Sequence, residues 1–150
     1  MKNILSMVFS MAALLLMSSV AVAAHHAGGE TKTCDYSSTY KAGPYFVSPK
    51  DGETVSGKVK VKMGMKGMQV HKAGELIDGT GHHHLIIDGA YVPETEAVPK
   101  DAQHIHFGKG QTETEITLTP GEHTLTLQFA DGHHQSYGKV FSHTIRVMVK

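Results

Sequence analysis

Lys58-Val59-Lys60-Val61-Lys62-Met63 alternates without a break between a charged and an apolar side chain. Successive side chains of an extended strand point to opposite faces, whereas a helix would scatter these lysines around its axis. Val59, Val61 and Met63 are therefore expected to face a core and the lysines to face water. The same period returns along the chain. His123 to Phe129 sets Leu125, Leu127 and Phe129 inward against Thr124, Thr126 and Gln128 outward. His143 to Val149 does so with Ile145, Val147 and Val149, and Thr112 to Leu118 with Thr114, Ile116 and Leu118. Pro44 to Val47, His83 to Ile87 and His104 to Phe107 complete a set of about seven short strands.

Turn residues punctuate the strands: Pro49-Lys50-Asp51-Gly52, Thr119-Pro120-Gly121-Glu122 and Asp131-Gly132. No helical period runs for more than a turn or two. This pattern predicts an all-β, immunoglobulin-like antiparallel β-sandwich of about seven strands, with a small β-barrel as the alternative. Residues 64–81 and 90–103 are long connections, and long loops in compact domains tend to be functional.

The N-terminus reads as a signal peptide over residues 1–24. Met1-Lys2-Asn3 is basic, Ile4 to Met17 is apolar, and small residues follow with overlapping cleavage patterns at Ala21-Val22-Ala23 and Val22-Ala23-Ala24. The apolar run is too short for a membrane span, so the protein is expected to be periplasmic or secreted, with no membrane span after cleavage. Residues 25–43 are polar and aperiodic, a flexible N-terminal arm. Residues 44–150 form the histidine-rich β domain, and the mature chain of about 126 residues is one domain's worth. A single cysteine, Cys34, rules out an internal disulfide. Fourteen basic residues against fourteen acidic ones leave no basic excess to bind nucleic acid.

Twelve histidines are the compositional anomaly. They concentrate in Gly81-His82-His83-His84-Leu85-Ile86-Ile87-Asp88-Gly89 and in His104-Ile105-His106-Phe107. On a strand, His82 and His84 share a face, and so do His104 and His106. If the two strands meet, four imidazoles converge in a set that suits copper or zinc. His134 from the turn after Asp131 and Asp88 behind the triplet are supporting candidates. Met65, Met68 and His71 form a softer auxiliary group, since thioethers select Cu(I). At the mature N-terminus, a cut after Ala23 places His26 third, ready for a square-planar Cu(II) site, and a cut after Ala24 makes His25 the first residue. His123 and His143, at strand starts, read as rim residues bonded to backbone.

Catalytic constellations are poor. No serine has a nucleophile-elbow context, Cys34 has no adjacent base, and Gly108-Lys109-Gly110-Gln111 follows no strand-to-helix pattern. The chain is therefore expected not to be an enzyme. From Pro44 onward it resembles a bacterial exported β-domain family of unknown function, whose members are often mislabelled as rod shape-determining proteins. The stretches that carry the resemblance are Phe46 to Gly52, Gly67 to Val70, Gly81 to Asp88, His104 to Glu113 and Pro120 to Leu125. It implies export and a compact β domain, and no reaction. Tyr137 stands where similar sequences usually have a further histidine, and His71 where they more often have a small residue or proline.

Two functions follow as expectations. One is a periplasmic metal-binding carrier, buffer or sensor module, copper before zinc. The other is a non-catalytic envelope interaction domain, binding a protein or glycan, with structural or pH-tuning histidines. A metal-dependent hydrolase is a third and weaker reading.

Overall fold

The computed structural model describes residues 42–150. The expected signal peptide and all but the last residues of the expected arm, with His25, His26 and Cys34, lie outside the described residues. Nine strands follow one another: β1 (Gly43–Ser48), β2 (Glu53–Val55), β3 (Lys58–Lys66), β4 (Gln69–Val70), β5 (Thr80–Ile87), β6 (His104–His106), β7 (Glu113–Thr117), β8 (Gly121–Ala130) and β9 (Ser142–Val149). A turn of 3-10 helix, Lys139–Phe141, precedes β9, and no helix among the described residues is long and apolar enough to cross a membrane.

The strands form two sheets with no strand in common, an immunoglobulin-like sandwich rather than a closed barrel. One sheet runs β1-β3-β7 and is antiparallel throughout. The other runs β2-β9-β8-β5-β4, with β6 also on β5. Its centre is antiparallel, but β2 on β9 and β4 on β5 are short parallel additions absent from the sequence reading.

The alternation that decided the fold holds. Val59, Val61 and Met63 are buried, and Lys58, Lys60 and Lys62 between and beside them are exposed. Across the sandwich they meet Leu85, Leu125, Leu127, Ile145, Val147 and Val149, with Phe46, Phe107, Ile116 and Leu118 closing the core. Each such side chain removed from water contributes about 1.5–3 kcal/mol, so this face fixes the strand register.

In the larger sheet both faces of β5 and of the second half of β8 are buried, and at β8 this departs from the expected alternation. Thr126 and Gln128, expected in water, are fully buried. The cause is the connection after β5. Val92 and Val98 fold back over Ile86 and Ala130 as a small second core on the outer face. Gln128 holds this cover down: the Val92 N–H donates to its Oε1 at 3.0 Å, and its Nε2 donates to the Gly138 and Phe141 carbonyls at 3.1 and 3.2 Å. The same outer face carries the histidines.

Candidate metal centre

Strand β5 lies between β8 on one side and β6 on the other, so its side chains are set by two ladders. His83 and Leu85 stand opposite Phe129 and Leu127 and point into the sandwich; His82, His84 and Ile86 point to the outer face. The triplet is thus split by the strand period, two imidazoles outward and one inward. In the β5–β6 ladder His106 stands directly opposite His84 and so shares its face. Directly opposed residues approach closely, and the His84 and His106 rings stack with centroids 5.1 Å apart.

A third segment completes the group. The turn after β8 brings His134 over the cluster, with its Nε2 3.1 Å from His106 Nε2, while His106 Nε2 is 3.2 Å from His82 Nε2. The His134 ring centroid lies 5.0 Å from that of His82 and 6.0 Å from that of His84. Ring nitrogens of His82, His84 and His106 all fall within 4.8 Å of one another, a spacing that could hold a metal ion. A tetrahedral ion with metal–nitrogen bonds of about 2.0–2.1 Å sets its ligand nitrogens about 3.3–3.4 Å apart. The 3.1–3.2 Å separations are already close to that.

Burial splits the four ligand candidates. His82 and His84 are 0% and 1% exposed, whereas His106 and His134 lie at the rim. The Nδ1 atoms of His82 and His84 are buried and have no hydrogen-bond partner. Such atoms are uncommon in folded proteins and call for a cause. Burial, then the neighbouring His106 and His134, pushes the His82 imidazole down to about 4, against a smaller upward pull from Asp131. Burial followed by His82, His106 and His134 pushes His84 down to about 2. Burial and then His134 and Lys100 lower His106 as well. At neutral pH these rings are neutral and offer lone pairs, the form that binds a metal.

The other candidates are elsewhere. His104 shares the His106 face but stands two residue pairs further along, opposite Ile86. Its Nδ1 donates to Asp101 Oδ1 at 2.7 Å, which corrects its expected convergence with His82, His84 and His106. Asp88 is also displaced. The β5 ladder ends at Ile87 and Asp88 turns with φ 55°, so its carboxylate accepts from His123 Nδ1 at 2.8 Å and from the Thr124 N–H at 2.9 Å. Met65 is half-buried on β3 in the opposite sheet, across from Pro44. Met68 lies between β3 and β4, and His71 follows β4, its N–H donating to the Gly81 carbonyl. His123 is the rim residue expected, its Nε2 donating to the Thr119 carbonyl at 2.9 Å. His143 is exposed beside Phe46.

His83 was missed as a core residue. It is fully buried against Phe129, neither ring nitrogen has a partner, and burial lowers it to about 4. Tyr137 belongs to the same aromatic wall: it stacks on Phe129 and donates from its hydroxyl to the Thr80 carbonyl at 2.8 Å.

Fold and site together define a two-sheet β-sandwich domain with a cluster of four imidazoles, two buried and two at the rim. The chain belongs to the family described as a domain of unknown function, DUF4399, which matches residues 61–150. No curated protein matches it. Among solved structures it is similar to the fibronectin(III)-like modules of Clostridium thermocellum CbhA, at 14% identity and a TM-score of 0.45, over 71% of this chain and 96% of that one.

Proposed function

We propose that this domain is a transition-metal-binding module, copper before zinc, that carries, buffers or senses the ion in the periplasm and performs no catalysis. The observation that carries the reading is the row of His82, His106 and His134 Nε2 atoms at 3.2 and 3.1 Å, with His84 packed against it. An all-imidazole donor set suits copper and zinc, and intrinsic affinity favours Cu(II) over Zn(II) at such ligands. Two ligands at the rim leave the ion within reach of an exchanging partner, which suits a carrier or buffer better than a closed structural site. A non-catalytic role is in keeping with the engagement of the acids beside the cluster and the histidine strands: Asp88 and Asp101 each accept from a histidine outside the cluster, and Asp131 Oδ1 accepts from two backbone N–H groups.

The test is a titration of tag-free mature protein with Cu(I), Cu(II) and Zn(II), read by native mass spectrometry. One tight equivalent is expected, retained when residues 25–41 are trimmed and lost in His82→Ala/His84→Ala and in His106→Ala. Binding that survives those substitutions but disappears with the arm would move the site to His25 and His26. Binding no tighter than that of free histidine would overturn the reading.

A further inference from the structure

The four imidazoles are not held alike. His82 and His84 sit on a strand hydrogen-bonded on both sides, so their backbone has no freedom to search. His106 is the last residue of a three-residue edge strand, and His134 belongs to a turn. Something else must aim these two, and the surroundings show what.

The aim of His134 begins with Asp131. Its Oδ1 accepts from the His133 N–H at 2.8 Å and from the Gln135 N–H at 2.9 Å, so one carboxylate oxygen spans the residues on either side of His134. The backbone closes the same turn: the His134 N–H donates to the Asp131 carbonyl at 3.0 Å and the Asp131 N–H to the Gln135 carbonyl at 2.9 Å. Within it His134 has φ 70°, a left-handed conformation uncommon for a residue with a side chain. Two loops brace the turn from outside, with Val98 donating to the His134 carbonyl and Gly74 to the Gly132 carbonyl.

The aim of His106 depends on Gly108. A Cβ on Gly108 would stand 2.5 Å from His106 Nε2 and closer still to Cε1. The Cε1–Nε2 edge of the ring thus occupies the space that a side chain at this position would fill. The backbone of Gly108 does not itself require glycine, since its φ is outside the left-handed region. Its carbonyl also accepts from the Ala73 N–H at 2.8 Å, so the loop after β4 ties down the carriers of both rim ligands.

We propose that Asp131 and Gly108 are the positioning residues of the metal site, Asp131 aiming His134 and Gly108 aiming His106 at a fixed His82/His84 pair. The proposal rests on the metal-binding reading and adds to it a division of labour: two ligands set by the sheet, two set by local devices at the rim through which the ion enters and leaves. Neither positioning residue touches the ion. Each governs how many imidazoles reach it.

The experiment uses tag-free mature protein loaded with one equivalent of Cu(I), or of Zn(II) where that is the ion held. X-ray absorption counts the coordinated imidazoles, and extraction by a small chelator gives the release rate. Wild type is expected to show four. Asp131→Ala and Gly108→Ala are each expected to show three, with affinity weakened about 10- to 100-fold, as is usual for residues that orient metal ligands, and with faster extraction. Asp131→Asn keeps an oxygen that accepts both N–H groups and is expected to restore four, which a merely electrostatic role would not do. Thermal unfolding of the metal-free variants controls for folding, and Gly108→Ala with Asp131→Asn keeps the test alive if Asp131→Ala does not fold. A wild-type protein that holds one ion, with variants that match it in imidazole count and release, overturns the positioning roles and leaves the metal reading standing. A wild-type protein with no tight ion overturns both.

Discussion

The fold should be acid-labile in its metal-free form, and the structure sets the size of the effect. In an unfolded chain the imidazoles of His82, His83 and His84 take up protons near the ordinary 6.5; in the folded protein they do so only near 4, 4 and 2. Between those values the unfolded state binds more protons, so lowering the pH favours unfolding. The stability at stake is intact above about 6.5 and is lost progressively below it. At about pH 5 each of the three costs about 2 kcal/mol relative to neutral pH, from the free energy of protonating a group with a pKa of about 6.5 in the unfolded chain alone. Three together give about 6 kcal/mol as an upper bound, against a total of about 5–15 kcal/mol for a typical domain. Urea unfolding of stripped protein at pH steps from about 7.5 to about 4.5 measures it. His83→Leu, a change on the inward face of β5, opposite to the face of the proposed ligands, should remove about a third of the slope. Loading the ion should shift the acid transition downward, since an occupied site keeps its imidazoles deprotonated. Stability that stays level to about pH 4.5, or a His83→Leu slope equal to wild type, would refute the reasoning.

Three further outcomes follow. Gln128→Leu strips the partner from the Val92 N–H and frees the Gly138 and Phe141 carbonyls; a loss of about 2–4 kcal/mol in urea unfolding is expected, mostly from the buried groups left unpaired. Leu127→Ala opens a cavity where the side chain is fully buried between the sheets and should cost about 3–5 kcal/mol in the same assay. His123 is raised chiefly by its bond to the Asp88 carboxylate, so its contribution is present below the ordinary histidine value and is lost as pH rises through the folded one; Asp88→Asn should lower that midpoint in an NMR titration while leaving metal stoichiometry unchanged.

The fold was legible because most of the core comes from strands with one wet face. Val59, Val61 and Met63 announce their side by the lysines between them, and Ile145, Val147 and Val149 do so by Thr144, Arg146 and Met148. The reading failed where a strand has no wet face. Thr126 and Gln128 look like solvent residues, and only the folding back of Val92 and Val98 makes them interior. The two-residue parallel strand β4 lies below any periodicity. At the site, the i, i+2 rule correctly grouped His82 with His84 and put His104 on the face of His106. It could not say which rung of β6 falls opposite His84, and that register decides which of the two histidines joins the cluster. Asp88 failed for a related reason: two-residue spacing predicts a shared face only while the strand continues, and the strand stops one residue short. Asp131-Gly132 was legible as a turn, but its bearing on the aim of His134 was not.

The triplet itself now has a physical account. Three consecutive histidines on a strand cannot all face one site, because alternate side chains go to opposite faces. His82 and His84 share the outer face with His106 and His134, and His83 is carried into the sandwich as a consequence. There it leaves two buried nitrogens without partners, at a cost of about 1–3 kcal/mol for each unmet group. The outward pair adds its own unpartnered Nδ1 atoms. The metal-free domain therefore concentrates its unmet polar groups along a few residues of one central strand. An ion bound by the outward imidazoles would stabilise that strand by mass action: at a free concentration about 100 times its Kd the gain is about 2.7 kcal/mol, comparable to the cost of one or two of those orphaned groups. On the metal-binding reading occupancy and stability would be coupled through β5, the strand that pairs with β4, β6 and β8. On the same reading the domain would be most stable with an ion bound, and acid competing for the same nitrogens would remove that margin.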